Sequence, residues 1–263
     1  MGAILEAKGV SIRFGGIVAL DDVSFTAAAA EVLSIIGPNG AGKTTLFNVV
    51  SGLYQASRGE VWLAGENVTR LRSYELARRG LSRTFQNLQV FFRMSVLDNV
   101  MVGNHLQERV PLWSELLALP STARQNDATR RRALDLLDRV GLAPRAGHTA
   151  SDLSYGELKR LEIARALAME PKIIMLDEPA AGCNATESSE IDALIRSFAD
   201  QGIAIVLVEH DMRLVMNVSD RVLVLDQGRR LAEGKPAEVR NDPDVIAAYL
   251  GVHGAEEAAL AQG

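Results

Sequence analysis

A glycine-rich segment, GPNGAGKT at residues 37–44, constrains the fold of this chain more than any other feature. It follows the apolar strand candidate EVLSII at residues 31–36, and a helical apolar pattern begins directly after it. The segment matches the spacing G-x-x-x-x-G-K-S/T, in which glycines let backbone N–H groups turn toward phosphate oxygens. A strand, this phosphate loop (residues 37–44) and a helix in that order predict an α/β fold that binds a nucleotide.

The side chains of the phosphate loop have separate expected roles. The Lys43 ammonium is expected to reach the outer phosphates, and the Thr44 hydroxyl to ligate Mg²⁺. The N-terminus of the following helix adds a dipole that favours an anion. A glycine-rich turn with an unrelated lysine is the alternative, and it leaves the four fixed positions of the motif unexplained. The candidate nucleotide-binding residues here are Gly37, Pro38, Asn39, Gly40, Ala41, Gly42, Lys43, Thr44 and Thr45.

A second apolar strand candidate, IIMLDE at residues 173–178, ends in two adjacent carboxylates. Asp177 suits the ligand shell of Mg²⁺, and Glu178 suits a base or water-orienting group near a γ-phosphate. Strands often end in Asp-Glu turns, so this pattern gains its weight from the phosphate loop. The two motifs predict a nucleotide triphosphatase or a kinase and do not decide between them.

Strand and helix patterns alternate along the chain and predict a largely parallel sheet with covered faces. Residues 4–14 and 17–27 alternate apolar and polar side chains, as half-buried antiparallel strands do. Residues 59–68 resemble an edge strand, and residues 221–234 a hairpin around Gln227 and Gly228. From residue 73 to about residue 170 the pattern is mainly helical.

These patterns predict one compact α/β domain over residues 1–263, with an antiparallel strand-rich edge. A helical subdomain is expected at about residues 87–156, and the alanine-rich tail at about residues 251–263 is expected to fray.

Composition narrows the possible partners and the compartment. The 28 Lys and Arg residues against 33 Asp and Glu residues give a net charge of −5, which argues against a nucleic-acid partner. The single cysteine, Cys183, fits a reducing cytoplasm and leaves no expected disulfide or structural zinc site. The sequence lacks a signal-peptide pattern and an apolar run of about 20 residues, so the chain is expected to be soluble by itself.

The segment LSYGE (residues 153–157) begins another predicted helix, and Ser154 and Glu157 have the spacing of a capping box. The LSYGE segment lies upstream of the strand candidate at residues 173–178. With this order of motifs, the chain resembles the ATP-binding cassette (ABC) superfamily over nearly its whole length. The usual family form is LSGGQ, so Tyr155 and Glu157 depart from it and Ser154 and Gly156 are retained. The resemblance implies that Ser154, Gly156 and Glu157 bind the γ-phosphate of ATP held by a second subunit. A helix N-terminus has more free N–H groups than one serine side chain can satisfy. Ser154 can therefore cap the helix while the remaining N–H groups bind a phosphate.

The resemblance implies roles for three further residues. Phe14 stands where an aromatic residue stacks on adenine, although a core position also explains it. Gln86 corresponds to a glutamine that touches Mg²⁺ or the attacking water and moves with the membrane partner; a solvated loop residue is the alternative. His210 corresponds to a histidine that contacts the γ-phosphate, with a satisfied strand-end histidine as the alternative. The catalytic set is therefore Glu178, His210 and Gln86, and the Mg²⁺ set is Thr44, Gln86 and Asp177.

Two residues depart from the family pattern. Cys183 lies in AGCN (residues 181–184), which corresponds to the loop that crosses the dimer interface, at a position that usually holds leucine. A buried cysteine packs as a small hydrophobe, so it is expected to be tolerated. Ala30 stands at a turn position that usually holds glycine. If this position has a positive φ, alanine there costs about 1 kcal/mol in stability.

A narrower resemblance covers residues 83–103, 153–167, 175–182, 208–228 and 241–251. These segments are similar to the ATPase subunits of branched-chain amino-acid importers, the LivG type. That family implies ATP and Mg²⁺ as cofactors and a peripheral location on the cytoplasmic face of the inner membrane. Its partners are transmembrane permease subunits, a second ABC ATPase that is a copy or a paralogue, and, indirectly, a periplasmic solute-binding protein.

Other functions remain open beside amino-acid import. Relatives in the same group serve urea, amides or other small solutes, and an export cassette for lipids shares every catalytic residue. A soluble cassette of the translation or repair type fits less well, because those members carry two cassettes or long coiled coils. The apolar cluster Val90, Phe91 and Phe92 is interpreted either as packing or as a groove for a short helix of the membrane subunit.

Overall fold

The computed structural model describes residues 2–104 and 120–249. The predicted fraying tail at residues 251–263 and the part of the helical subdomain at residues 105–119 lie outside the described residues.

The central sheet has six strands within the described residues, in the order β10-β9-β3-β8-β7-β6. Every neighbouring pair is parallel except β9 and β10, which form the predicted hairpin around Gln227 and Gly228. Strands β3, β7 and β8 are buried at every residue, which explains their largely apolar sequences. The strands are β3 (Val32–Ile36), β6 (Leu81–Arg83), β7 (Ile173–Asp177), β8 (Ala204–Val208), β9 (Arg221–Asp226) and β10 (Arg229–Gly234).

An antiparallel sheet lies against this core and confirms the predicted strand-rich edge. Its strands follow the order β2-β1-β4-β5. The stretch interpreted as one edge strand is instead a hairpin, because Ala64 (φ 50) and Gly65 (φ 82) form a two-residue turn that brings β5 back beside β4. The strands are β1 (Ala3–Phe14), β2 (Ile17–Ala28), β4 (Arg58–Leu63) and β5 (Glu66–Asn67).

The mainly helical stretch predicted from residue 73 to about residue 170 contains a strand, and on this point the prediction is wrong. β6 (Leu81–Arg83) pairs in parallel with the first three residues of β7. Three residues show no period, and their pairing partner lies about 90 residues further along the chain, so local sequence does not specify this strand. The helices with assigned bounds are α1 (Lys43–Val50), α2 (Ser73–Ala77), α3 (Val96–Gly103), α4 (Pro120–Arg139), α5 (Tyr155–Leu167), α6 (Ala185–Asp200), α7 (Met212–Val218) and α8 (Pro236–Arg240), and residues 243–249 are also helical.

Within the described residues, side chains of the central sheet contribute to three hydrophobic clusters, two of which lie on opposite sides of β7. In β7, Ile174 and Leu176 pack with residues of α3 to α6, whereas Ile173 and Met175 pack with residues of α1 and the antiparallel sheet. The sheet is thus covered on both faces, as a parallel sheet requires. In the turn that leads from β2 to β3, Ala30 has a φ of 60°, so the positive φ considered for this position is confirmed.

Candidate active site

The candidate site forms at the carboxyl ends of the parallel strands. β3 leads into the phosphate loop, β7 into Glu178, β8 into Glu209 and His210, and β9 into Gln227. Parallel strands end at one edge of a sheet, and ligands of open α/β sheets bind in the crevice outside that edge. Segments far apart in the sequence therefore meet there.

Two glycines of the phosphate loop are required by close backbone approaches. A Cβ on Gly37 would lie 2.1 Å from the carbonyl oxygen of Leu225 in β9. Gly42 has a φ of 99°, and its Cβ would lie 2.9 Å from the carbonyl oxygen of Ala19 in β2. The loop is thus wedged between two strands, and only glycine fits these positions.

A cavity of about 630 Å³ opens over the phosphate loop. Its size suits a small-molecule ligand such as a nucleotide. Most of the predicted loop residues line this cavity, together with Gln86 and Glu178. The turn between β9 and β10 also lines it; the sequence predicted this turn but not its place at the site. The lining residues are Ile17, Val18, Ala19, Asn39, Gly40, Ala41, Gly42, Lys43, Thr44, Thr45, Gln86, Glu178, Gln227 and Gly228.

The Lys43 ammonium lies within the curl of the phosphate loop. Its Nζ donates hydrogen bonds to the carbonyl oxygens of Gly37 at 2.6 Å and Pro38 at 3.0 Å. Burial lowers the pKa of Lys43, and the nearby negative charge of Glu178 opposes that shift. The geometry places one cation beside the loop amides, where an anion would be stabilised.

Three predicted catalytic side chains converge at the mouth of the cavity. Gln86 donates from Nε2 to Oε2 of Glu178 at 3.2 Å, and Nδ1 of His210 lies 3.8 Å from Oε1 of Glu178. The His210 side chain is 68% exposed, so it is open to a ligand. Glu178 adopts a left-handed backbone (φ 49°), which is uncommon for a residue with a Cβ. A carboxylate, a hydrogen-bonding amide and an imidazole are thus brought together.

Asp177 lies deeper than its predicted contact with Mg²⁺ suggests. Its carboxylate accepts a hydrogen bond from Nη2 of Arg83 at 3.0 Å, and both side chains are about 5% exposed. Nη1 of Arg83 donates to Asn48 of α1 and to Ser51, the residue that follows this helix. Burial raises the pKa of Asp177, and the Arg83 guanidinium opposes that shift. Asp177 therefore joins β7 to α1, which begins at Lys43 and Thr44.

The LSYGE segment forms the predicted capping box at the start of α5. The Ser154 hydroxyl accepts from the Glu157 N–H at 3.2 Å, and Glu157 Oε2 accepts from the Ser154 N–H at 2.8 Å. A Cβ on Gly156 would lie 2.4 Å from Cδ of Glu187 in α6, so any larger residue here would displace the Glu187 side chain. Among the described residues, this helix end is separate from the cavity wall around Lys43.

Phe14 lies at the end of β1, with 44% of its surface exposed. Its ring packs edge-on against Tyr54, with the centroids 5.3 Å apart. It is not part of a buried core, and the cavity wall nearest in sequence is formed by Ile17 and Val18. Its stacking on adenine stays a prediction.

Cys183 is half-buried and packs against the helical side of the core, as expected of a small hydrophobe. Burial raises the pKa of its thiol. Next to it, Gly182 (φ 80°) leaves room for the Tyr155 ring, whose Cε1 would lie 2.9 Å from a Cβ there. The ring of Tyr155, a residue that departs from the usual LSGGQ form, is thus accommodated by Gly182 on the neighbouring loop.

Sequence reasoning missed four buried charged residues around this site: Arg83, Lys159, Glu162 and Glu209. Glu209 accepts hydrogen bonds from the backbone N–H groups of Ala180 and His210, at 3.3 and 3.1 Å. The available signal was a charged residue next to or within an apolar run, as in VLVE and LKRLEIA.

Two protein families match the sequence of this chain. The family described as ABC transporter matches residues 20–181, which is more than half of the chain. This chain belongs to the ABC transporter family. It is an ATP-binding cassette and an ATPase, as the strand–loop–helix motif and the LSYGE segment together predicted. A second family, the branched-chain amino acid ATP-binding cassette transporter, matches residues 229–255 of this cassette.

Relatives of this cassette include subunits of different transporters. The high-affinity branched-chain amino acid transport ATP-binding protein LivG of Escherichia coli K12 is 45% identical over 249 residues, which are 94% of this chain and 98% of LivG. The lipopolysaccharide export system ATP-binding protein LptB of Acidithiobacillus ferridurans is 36% identical over 251 residues, 95% of this chain and 98% of LptB.

Solved structures show the same cassette fold. An ATP-binding cassette of an ABC transporter in its ADP conformation has a TM-score of 0.83 and 32% identity, covering 95% of this chain and 100% of that one. A cassette solved as a dimer in a post-hydrolysis state, bound to ADP and Pi, has a TM-score of 0.74 and 27% identity, covering 88% of this chain and 98% of that one. Within residues 2–104 and 120–249, none of the helices has the length and apolar sequence needed to cross a bilayer.

Proposed function

We propose that this cassette is the ATP-hydrolysing subunit of a membrane importer for branched-chain or similar hydrophobic amino acids. The observation that carries the proposal is the match of residues 229–255 to the branched-chain amino acid cassette family. That segment lies outside the general ABC match at residues 20–181, so it adds information beyond ATPase activity. The 45% identity to LivG over nearly the whole chain points the same way.

Magnesium fits the donors at the site. Thr44, Gln86 and Glu178 line one cavity with hydroxyl, amide and carboxylate oxygens, which are the hard ligands that Mg²⁺ prefers. Thr44 and Gln86 would hold Mg²⁺, with Asp177 behind them. When bound, Mg²⁺ neutralises charge on the phosphates.

The chain's own residues supply position and charge for hydrolysis. Lys43 and the amides of the phosphate loop hold the phosphates, Glu178 orients and deprotonates the attacking water, and Gln86 holds Glu178 in place. His210, which lies beside the other carboxylate oxygen of Glu178, contacts the γ-phosphate. Phosphoryl transfer needs little covalent chemistry from the protein, so this arrangement of charges is the main source of rate enhancement.

A second cassette completes each site in this proposal. The free amides at the start of α5, with Ser154 and Gly156, bind the γ-phosphate of ATP held by the partner cassette, which is a copy or a paralogue. The separation of this helix end from the cavity around Lys43 supports an arrangement in which two chains close head to tail. Hydrolysis removes the bridging group and opens the dimer, a ligand-driven change between two arrangements.

The cassette attaches to the cytoplasmic face of the membrane through its permease subunits. Val90 is buried, whereas Phe91 and Phe92 are exposed to 47% and 46%. Adjacent exposed aromatic side chains just after Gln86 support a docking surface for a short helix of the permease. A shift of that helix would move Gln86 directly.

The function is tested by reconstitution of the complex. A tagged cassette is purified from detergent-solubilised native membranes, its co-purifying membrane subunits are identified, and the complex is placed in proteoliposomes with its solute-binding protein. ATP-dependent uptake of labelled leucine, isoleucine and valine supports the proposal, with Glu178→Gln as the inactive control. Uptake of urea or amides instead overturns the amino-acid assignment.

Lipid export is the second candidate, because LptB is also similar over nearly the whole chain. An export complex would purify without a solute-binding protein, and its ATPase activity would rise with added lipid rather than with amino acid. That result would replace import by export and leave the ATPase assignment unchanged.

A further inference from the structure

Helix α5 carries two buried side chains of opposite charge, Lys159 and Glu162. Lys159 is 2% exposed and Glu162 is 6% exposed. They stand three residues apart, which places them on one face of the helix. Burying a charged group is costly unless it is paired or hydrogen-bonded, so each of these two side chains needs a partner of its own.

The two charges make their contacts with different loops. Lys159 Nζ donates a hydrogen bond to the backbone carbonyl oxygen of Glu178 at 3.2 Å. Glu162 Oε1 accepts from the backbone N–H of Gln89 at 3.4 Å, and the N–H of Phe85 interacts with the same carboxylate. Lys159 therefore reaches the Glu178 loop (residues 178–184), and Glu162 reaches the Gln86 loop (residues 84–90).

The contact at Glu178 lies where the backbone is strained. Glu178 has a φ of 49°, and its carbonyl oxygen accepts from Lys159 and from the N–H of Ala181, at 3.2 Å each. Its own N–H donates to Val208 at 3.0 Å. These hydrogen bonds fix the orientation of the peptide, and with it the direction in which the carboxylate points.

The same helix begins at Ser154, in the segment assigned above to the partner's nucleotide. Lys159 lies five residues further along, which is about 7.5 Å at a rise of 1.5 Å per residue. The N-terminus of α5 thus faces the partner's phosphate, and the side chains along one face of α5 contact the Glu178 loop and the Gln86 loop of the same chain. Any shift of α5 on closure of the dimer changes the contacts to both loops.

We propose that Lys159 and Glu162 are positioning residues that couple the partner's nucleotide, bound at the start of α5, to Glu178 and Gln86 of the same chain. Each active site of the dimer then senses whether the other is occupied, through a contact within one protomer. This inference rests on the proposed dimeric ATPase.

The test uses the full chain with Lys159→Met and Glu162→Gln, which keep side-chain size, and Lys159→Arg, which keeps the charge. Arg160→Met is the matched control, because Arg160 is the next residue of α5 and pairs with Glu190 of α6 at 3.1 Å. ATP hydrolysis is measured against ATP concentration. We expect kcat to fall about tenfold and the Hill coefficient to fall toward one in the first two variants, the range typical of coupling between sites. KM should change little, Lys159→Arg should recover most of kcat, and Arg160→Met should keep both values.

Hydrogen–deuterium exchange on addition of ATP separates positioning from general destabilisation, and it needs no turnover. It is measured in a Glu178→Gln background, in peptides that cover the two loops. Lys159→Met should lose ATP-dependent protection in the Glu178 loop and keep it in the Gln86 loop, and Glu162→Gln should do the reverse.

Unchanged kcat, Hill coefficient and protection in both variants would overturn the inference while the wild-type chain behaves as a cooperative dimer. Equal loss of protection in both loops would also overturn it, since that is the signature of a loosened helix. A wild-type chain that hydrolyses ATP as a monomer without cooperativity would overturn the dimeric function and the inference together.

Discussion

The Gln86 side chain donates a hydrogen bond to the Glu178 carboxylate across 3.2 Å. The two residues are far apart in sequence, but they follow the adjacent parallel strands β6 and β7. Movement of the Gln86 loop therefore changes the hydrogen bonding of Glu178, the candidate base. This link gives the predictions about catalysis and coupling a common structural origin.

Replacing Glu178 by Gln removes the candidate proton acceptor but keeps a side chain of the same size. We expect ATP hydrolysis to fall by about a hundredfold or more, the usual contribution of a general base. ATP binding should persist, and an ATP-bound dimer should accumulate in size-exclusion chromatography. Glu190→Gln, on the exposed side of α6, is the control and should keep normal turnover. Hydrolysis at the normal rate by the Glu178 variant would remove the role given to this carboxylate.

The buried pair of Arg83 and Asp177 should control stability. Arg83→Met leaves the Asp177 carboxylate buried without its partner, and we expect a loss of about 3 kcal/mol or more in urea unfolding. Arg79→Met breaks a more exposed pair with Glu66, and its cost should stay below about 1 kcal/mol. Similar costs for the two variants would show that the buried pair is already screened by water.

The capping box at Ser154 should make stability depend on pH. Burial acts to raise the pKa of Glu157, but the Ser154 N–H and the Arg145 guanidinium outweigh it, so the pKa lies below its ordinary value of 4.5. The ionised carboxylate thus contributes stability above the unfolded-state pKa, and this contribution is lost as pH falls through the lower, folded-state pKa.

Glu157→Gln should therefore lower the free energy of unfolding at pH 7 by about 0.5–1 kcal/mol, as for other capping residues. The difference from the wild type should shrink steadily below about pH 4.5. Denaturant unfolding at a series of pH values measures it. A difference that stays constant down to pH 3 would contradict the assigned direction of the shift.

The exposed aromatic pair should carry transport coupling without supporting the fold. Replacing Phe91 and Phe92 by Ser should leave basal ATP hydrolysis within about twofold, because neither side chain lines the nucleotide cavity. Solute uptake by the reconstituted complex should fall much further. Tyr74→Ser, which removes another exposed aromatic ring on α2, is the control. Normal uptake by a stable double variant would assign the pair to surface packing.

Ala30 offers a direct test of backbone strain. Its φ of 60° lies in the left-handed region, where a Cβ costs about 1–2 kcal/mol, so Ala30→Gly should stabilise the chain by up to about 1 kcal/mol. Ala29 precedes it in the same turn without a positive φ, and Ala29→Gly should destabilise the chain. Thermal unfolding of the two variants compares them, and a gain for both or for neither would argue against strain at Ala30.

Local sequence was enough for the parts of the site that depend on backbone geometry. The glycines of the phosphate loop, the capping box of Ser154 and Glu157, and the hairpin at Gln227 and Gly228 are all where the sequence predicted them. Each of these depends on residues within a few positions of one another. Spacing alone therefore carries the information.

Contacts between distant segments were decided only by the tertiary structure. β6 exists because β7 pairs with it, and the cavity gains Ile17 and Val18 because β2 passes beside the phosphate loop. The exposed position of Phe14 likewise depends on where β1 ends.

The sequence by itself determined the class of protein, because a phosphate loop, a carboxylate-ended strand and the LSYGE segment each impose a local geometry that few other sequences satisfy. Only the tertiary structure decided which buried charges support the site. The partners of Arg83, Lys159 and Glu162, and the Ala180 partner of Glu209, come from other strands and loops. A desolvated charge is stable only where the fold supplies its hydrogen bonds.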